Sequence, residues 1–310
     1  MIKKLIKKVK YELRFNNTQY YTRISDKVLK GWYRSVLEKK INLLPPIHTV
    51  ETNAQLTLSI LANKKNFYES IAALYSFCFW NKDIYINYHE DGTLSEQEIT
   101  ILKKIFPGIT IFRRKLQDAT VVNYLLSKGY IKSAELRRNF ILSLKLFDTI
   151  VEKKTPYLLL IDSDVLFFSQ PKNIIDIVEK AILNGCYNKD VNSAYCFSDE
   201  IFNKYLDHPI IDKFNSGVFL HNLNKDCFEF IETVLKQELR LPASWHLEQT
   251  LFAMYATHKG GFEALPKCYD LARKERNLGN FIISEHYVHN TGYDIHKDFI
   301  YKLCPIYLKN

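Results

Sequence analysis

The sequence predicts an α/β protein with a mostly parallel sheet covered by helices on both faces. Three observations carry that expectation. Short apolar runs bounded by turn residues alternate along the chain with longer stretches of helical periodicity. One run near the middle, Tyr157–Ile161, is apolar at every position, as in a strand buried on both faces. It leads straight into Asp162-Ser163-Asp164, which puts two carboxylates at the strand end where ligands bind in such sheets.

The chain has 310 residues, of which 47% are hydrophobic and 25% charged, values ordinary for a globular protein with a sizeable core. There are six cysteines, without zinc spacing and without a C-x-x-C pair. No signal-peptide pattern precedes them, so free thiols in a reducing cytoplasm are expected. No apolar stretch approaches the roughly 20 residues of a membrane span. Residues 1–40 hold twelve basic and three acidic residues, which accounts for the whole net charge of +9. The remainder is neutral, which argues against a nucleic-acid-binding body.

Taken in order, residues 1–15 place Ile2, Leu5, Ile6, Val9 and Leu13 at helical spacing, with lysines on the other face. Such a basic amphipathic helix suits either an anionic membrane surface or packing on the body, and the residues leave both readings open. More helix is expected over 27–41. Pro45-Pro46 then marks a boundary between a basic helical extension, 1–45, and a body, 46–310. In the body, a strand at 56–61 precedes a helix at 66–80, and a strand at 83–88 precedes a helix capped by Thr93 or Ser95 and broken at Pro107-Gly108. Residues 109–112 read as a strand and 133–151 as one long helix before Tyr157–Ile161. After the carboxylates, Pro171 opens a helix to 183. Residues 194–197 and 214–220 read as strands, 225–239 and 247–257 as helices, and 282–288 as a last strand running into His289-Asn290-Thr291-Gly292. Gly217 inside a buried strand signals that something approaches the backbone closely. Neither a G-x-G-x-x-G nor a P-loop pattern follows the first strand.

Strand alternation points Asp162 and Asp164 the same way. Two ionised carboxylates about 5–6 Å apart repel by roughly 3 kcal/mol at an effective dielectric near 20. Neighbouring basic residues are confined to Lys153, Lys154 and Lys172. A divalent cation, Mn2+ or Mg2+, is the simplest neutraliser. The plain alternative is a pair of turn and cap residues at a strand end.

Taken together, residues 56–77, Lys145-Leu146, 158–168, 214–222, Glu248-Gln249 and 289–292 resemble a nucleotide-sugar-dependent glycosyltransferase of the GT-A fold, nearest to the family 8 type. The resemblance runs over residues 50–300 in the family's order; residues 1–45 lie outside it. It implies a metal site of Asp162, Asp164 and His289, with His286 as the rival histidine. It implies donor contacts from Leu61, Asn63 and Tyr68 after the first strand, from Ser163, from basic Lys145 and Arg138, and from Asn215, Gly217 and Gly292. The family's lysine six residues after its histidine is Ile295 here, which leaves Lys297 as the substitute. Glu248-Gln249 matches a D-Q pair beside donor sugar and acceptor, with Glu248 positioned to orient or deprotonate the acceptor hydroxyl. Retention of configuration follows the family, while the glutamate leaves inversion open.

The function so implied is transfer of a sugar from a nucleoside-diphosphate sugar, a UDP-sugar first, to a hydroxyl of a glycan, lipid-linked or protein acceptor, in the cytoplasm or against the inner membrane face. Two other classes compete. A haloacid-dehalogenase-like phosphatase also ends a strand in D-x-D, but near the chain start and with Gly-Thr rather than Val165-Leu166 next. A carbohydrate-binding protein of the same fold would have lost turnover.

Overall fold

The computed structural model describes residues 18–271, 281–288 and 294–309. Its main sheet holds β1 (Leu56–Ala62), β2 (Tyr85–Glu90), β3 (Thr110–Arg113), β4 (Tyr157–Ile161), β6 (Gly185–Lys189), β7 (Phe214–His221) and β8 (Phe262–Ala264). The strand order is β3-β2-β1-β4-β7-β6-β8. The strands β3, β2, β1 and β4 are mutually parallel, and β7 runs antiparallel to both of its neighbours, β4 and β6. A smaller sheet, ordered β5-β10-β9, joins β5 (Val165–Phe167), β9 (Tyr269–Leu271) and β10 (Ser284–His286).

The apolar run of β4 is buried at every position because both faces are covered. Leu159 and Ile161 enter one core with Leu58, Ile60, Phe67 and Phe77. Leu158 and Leu160 enter a second with Phe147, Phe219 and Phe228. Fully burying each such side chain contributes about 1.5–3 kcal/mol, which fixes β4 in the middle of the sheet. The helix Thr18–Ile41 packs on the first core through Leu37 and Ile41. Among the described residues no helix is long and apolar enough to cross a membrane.

Several elements differ from the sequence expectation. The long helix over 133–151 is two helices, Ile131–Asn139 and Ser143–Val151, because Phe140 turns extended between them. The turn lets Arg137 reach back to Asp148, with Nε to Oδ1 at 2.5 Å and Nη2 to Oδ2 at 2.8 Å. Arg137 is fully buried, so removing either partner of that pair would cost about 3–5 kcal/mol. Residues 194–197 form no strand; the strand of that region is β6. There Gly185 lies so close to the Leu220 carbonyl that no β-carbon fits, and its Gly, Asn and Lys residues conceal the strand from propensity. The helix Arg114–Ser127 had no counterpart in the sequence reading. Ser95, rather than Thr93, caps the helix Glu96–Ile105, in a reciprocal box with Glu98. The helix after Pro171 spans Lys172–Lys180 and stops where Ala181 turns left-handed, at φ 50°. Residues 1–17, with the expected basic amphipathic helix of 1–15, and His289 to Gly292 lie outside the described residues.

Candidate active site

The site forms where β4 ends beside the start of β7. The ladder continues one step past β4, with the Asp162 amide donating to the Gly217 carbonyl at 2.9 Å. The chain then turns at Ser163-Asp164, and the Val165 amide donates back to the Asp162 carbonyl at 3.3 Å. The carboxylates therefore converge through a tight turn, not through the strand alternation expected above. The turn sends the chain into β5, which pairs antiparallel with β10 so that His286 faces Val165. The Tyr287 amide donates to the Asp164 carbonyl at 2.8 Å and locks that register.

This pairing brings His286 against the carboxylates. Its Nε2 lies 3.2 Å from Asp164 Oδ1 and 3.6 Å from Asp162 Oδ2. The three side chains form a cluster with the reach of a metal site. Its histidine is His286, the rival in the sequence reading; His289 falls outside the described residues. The ring rests on Gly217, where any β-carbon would overlap it, and that is the close approach the buried glycine signalled.

Asn215 sets the tautomer of His286. Its Nδ2 donates to Asp190 Oδ2 at 2.9 Å, and its Oδ1 accepts from the Gly217 amide at 2.9 Å. A carboxylate only accepts and an amide N–H only donates, so the orientation of the Asn215 amide is assigned by its neighbours. Its Oδ1 lies 3.1 Å from His286 Nδ1, which must donate. Nε2 is left to face the carboxylates, the arrangement that orients metal-binding histidines. Burial disfavours charge on the ring, but Asp164 and Asp162 outweigh it and raise its pKa above the ordinary value.

Lys145 projects from the helix Ser143–Val151 and donates a short hydrogen bond to Asp162 Oδ1. The basic neighbours in sequence bond elsewhere, Lys153 to the Pro156 and Leu223 carbonyls, Lys154 to Thr110 and Lys172 to Asp176, and the cation on Asp162 comes from 17 residues upstream. Burial opposes its charge, yet Asp162, Glu248 and Asp164 together hold its pKa above the ordinary value. Asp164 remains below the usual carboxylate range, since His286 and Lys145 outweigh its burial.

Glu248 and Gln249 sit in the first turn of the helix Leu247–Lys259, both buried. Ser216 Oγ donates to Glu248 Oε2 at 3.2 Å, and its amide donates to Gln249 Oε1 at 3.3 Å. Gln249 Nε2 donates to the Ala194 carbonyl at 3.2 Å. Glu248 Oε1 is buried without a hydrogen-bond partner. Burial pushes the Glu248 carboxyl up to about 7, with Lys145 opposing and Asp162 adding to the rise.

Lys145, Asp162, Asp164, Glu248, Gln249 and His286 line one cleft of about 1260 Å3, above the ~300–1,000 Å3 of usual small-molecule pockets. Leu61, Asn63, Ser163 and Asn215, for which the resemblance implies donor contacts, also line it. Asn66 had been overlooked; its Nδ2 donates to Ser163 Oγ at 2.7 Å, tying the end of β1 to the turn between the aspartates. Four of the proposed donor contacts do not line it, Gly217 among them because the His286 ring covers it. Tyr68 packs on the first core and bonds Glu38 of the N-terminal helix. Arg138 is exposed outside the cleft; it follows Arg137 on a short helix that spends its inward face on Asp148. Lys297 pairs with Asp294 at 3.5 Å, while Ile295 and His296 face the cleft in its place. Gly292 is outside the described residues. Lys30 and Arg34 also reach the cleft, from a helix that lies outside the resemblance.

No protein-family model matches the sequence, and no curated protein matches it. Solved structures do match. Mouse xyloside xylosyltransferase 1, in its apo form, superposes with a TM-score of 0.51 at 14% identity, over 76% of this chain and 98% of that one. The apo structure of WbbM, a bifunctional glycosyltransferase, gives 0.53 at 15% identity, over 85% of this chain and 52% of that one. The chain thus spans about half of WbbM. The architecture is the GT-A glycosyltransferase fold.

The raised pKa of Glu248 has a consequence for stability. Unfolded, this carboxyl titrates near its ordinary 4.5; folded, it holds its proton up to about 7. The folded state binds the extra proton in that window, so stability falls as pH rises through it. Glu248→Gln removes the dependence. Relative to wild type it should gain up to roughly 3 kcal/mol between pH 4.5 and pH 8. Urea unfolding of both proteins at the two pH values measures the difference; equal pH slopes would contradict it.

Proposed function

We propose that the chain is a metal-dependent glycosyltransferase that moves a sugar from a nucleoside-diphosphate sugar, most simply a UDP-sugar, to an acceptor hydroxyl. The observation that carries this reading is the convergence of Asp162, Asp164 and His286 on one point of a large cleft in a GT-A fold. Two carboxylates and one imidazole, its Nε2 turned inward by Asn215, fit Mn2+ or Mg2+. When bound, such a cation stabilises the charge that grows on a departing diphosphate.

The chain's own groups take the other roles. Lys145 holds Asp162 and adds positive charge beside the phosphates. Leu61, Asn63 and Ser163, on the β1 side of the cleft, receive the nucleoside and diphosphate. Glu248 offers its unpartnered Oε1 to the acceptor hydroxyl or to the donor sugar. A carboxyl that titrates near neutrality can accept that proton and release it again. Ser216 and Gln249 hold it in place. Residues 1–45 form an extension on this body. Its basic stretch, 1–15, suits an anionic membrane surface, where each lysine contributes about 1 kcal/mol.

Three outcomes are expected. Asp164→Ala lowers Mn2+-dependent hydrolysis of UDP-sugars by about 100-fold or more. Wild type leaves simple phosphomonoesters untouched; turnover of those instead would favour a phosphatase, and turnover of neither class a binding protein. Gly217→Ala displaces His286 and weakens Mn2+ binding in the presence of UDP at least about tenfold, read by electron paramagnetic resonance, with the circular dichroism spectrum retained. Deleting residues 1–15 abolishes sedimentation with phosphatidylserine vesicles; unchanged sedimentation would remove the membrane role.

A further inference from the structure

The cleft divides along the sheet. Asp162 stands at the end of β4, with β1 on one side and β7 then β6 on the other. Leu61, Asn63 and Asn66 come from the β1 side. Trp245, His246, Glu248 and Gln249 come from the far side, where Gln249 is bonded to Ala194 of the segment after β6.

Trp245 is the anomaly of that far side. Its residue is 69% exposed, though it belongs to the cleft wall. A lone exposed apolar residue on an outer surface needs no explanation. An exposed indole on the wall of a cleft, three residues before Glu248, is different. A short distance along the same wall Glu248 is 3% exposed, and its Oε1 has no hydrogen-bond partner. A large exposed aromatic side chain and a buried carboxyl with one unpartnered oxygen thus belong to the same wall. The same side of the cleft carries polar His246, Gln249, Asp190 and Asn192, beside the small or branched apolar Ala194 and Val191.

This combination selects a ligand chemistry. An alkyl chain would leave the polar groups unpaired. A sugar ring satisfies both, because it offers a face of C–H bonds to an aromatic plane and a rim of hydroxyls to surrounding acceptors. We propose that Trp245 is the stacking platform for the acceptor, and that the acceptor is therefore the terminal sugar of a glycan. The proposal rests on the transferase reading above and narrows its acceptor class.

Saturation-transfer NMR tests it on the full chain with UDP and Mg2+ present. The probes are methyl β-galactoside, methyl α-glucoside and methyl β-N-acetylglucosaminide, with octanol and a serine peptide as the other classes. At least one glycoside should receive saturation at its ring C–H protons from wild type and from Trp245→Phe. The signal should fall about tenfold or more in Trp245→Ala, while the Kd of UDP with Mn2+ stays within about twofold. Equal glycoside signals in Trp245→Ala, no glycoside signal from wild type, or a Trp245-dependent signal from octanol or peptide alone would overturn the proposal. A UDP Kd that moves as far as the glycoside signal would place the indole on the donor and also overturn it. Wild type that binds neither UDP nor Mn2+ would instead sink the transferase reading on which this one stands.

Discussion

The imidazole of His286 occupies the space that a β-carbon would need at Gly217, and much of the site follows from that contact. His286 belongs to the small sheet and Gly217 to the large one, so the contact is where the two sheets meet over the aspartates. Only a residue without a side chain permits it. Two positions earlier on β7, Asn215 fixes the ring by its Nδ1 and is itself fixed by Asp190 and by the Gly217 amide. One strand segment, Asn215-Ser216-Gly217, therefore sets the histidine with its first and third residues and the glutamate–glutamine pair with its second. Its polar composition inside a buried strand has that double duty as its reason.

Charge explains why the segment sits where it does. Asp162, Asp164 and Glu248 bring three carboxyls near one point, and Lys145 is the buried cation among them. Asp162 is shared between Lys145 on Oδ1 and His286 facing Oδ2. Glu248 is left with the weakest compensation and is the one whose pKa climbs toward neutrality. A divalent cation on the aspartates would add positive charge close to Glu248 and favour its ionised form. Metal occupancy and the protonation of Glu248 would thereby be linked through electrostatics alone.

The sequence disclosed those parts of this arrangement that depend on local pattern. The apolar run of β4, its two aspartates, the glycine inside β7 and the first-turn Glu248-Gln249 pair were each legible as residues in order. What it concealed depends on the chain doubling back. Lys145 reaches Asp162 only because the expected long helix breaks at Phe140, and that break is stabilised by the Arg137–Asp148 pair. The resemblance implied His289 at the metal site. Pairing of β10 with β5, remote in sequence, is what brings His286 to the aspartates. Tyr68 and Lys297 were placed at the donor by the resemblance, but packing against the N-terminal helix and a local ion pair claimed them.

The reversal of β7 within an otherwise parallel arrangement also has a functional sense. In a wholly parallel sheet the strand beside β4 would end, not begin, next to the aspartates, and a loop rather than a strand would meet them. Because β7 runs the other way, its first residues lie in the ladder with fixed hydrogen bonds just where positions must be held to a fraction of an ångström. The slip in register between Tyr187 and Asn188 of β6 then leaves Ser216, Gly217 and Val218 without partners on that side. Their free edge admits Gln249 to the Ser216 amide, and so brings the helix Leu247–Lys259, with Trp245 at its threshold, to the cleft. A single irregularity in one strand pair thus opens the far half of the cleft, while the regular ladder of β1 and β4 builds the near half.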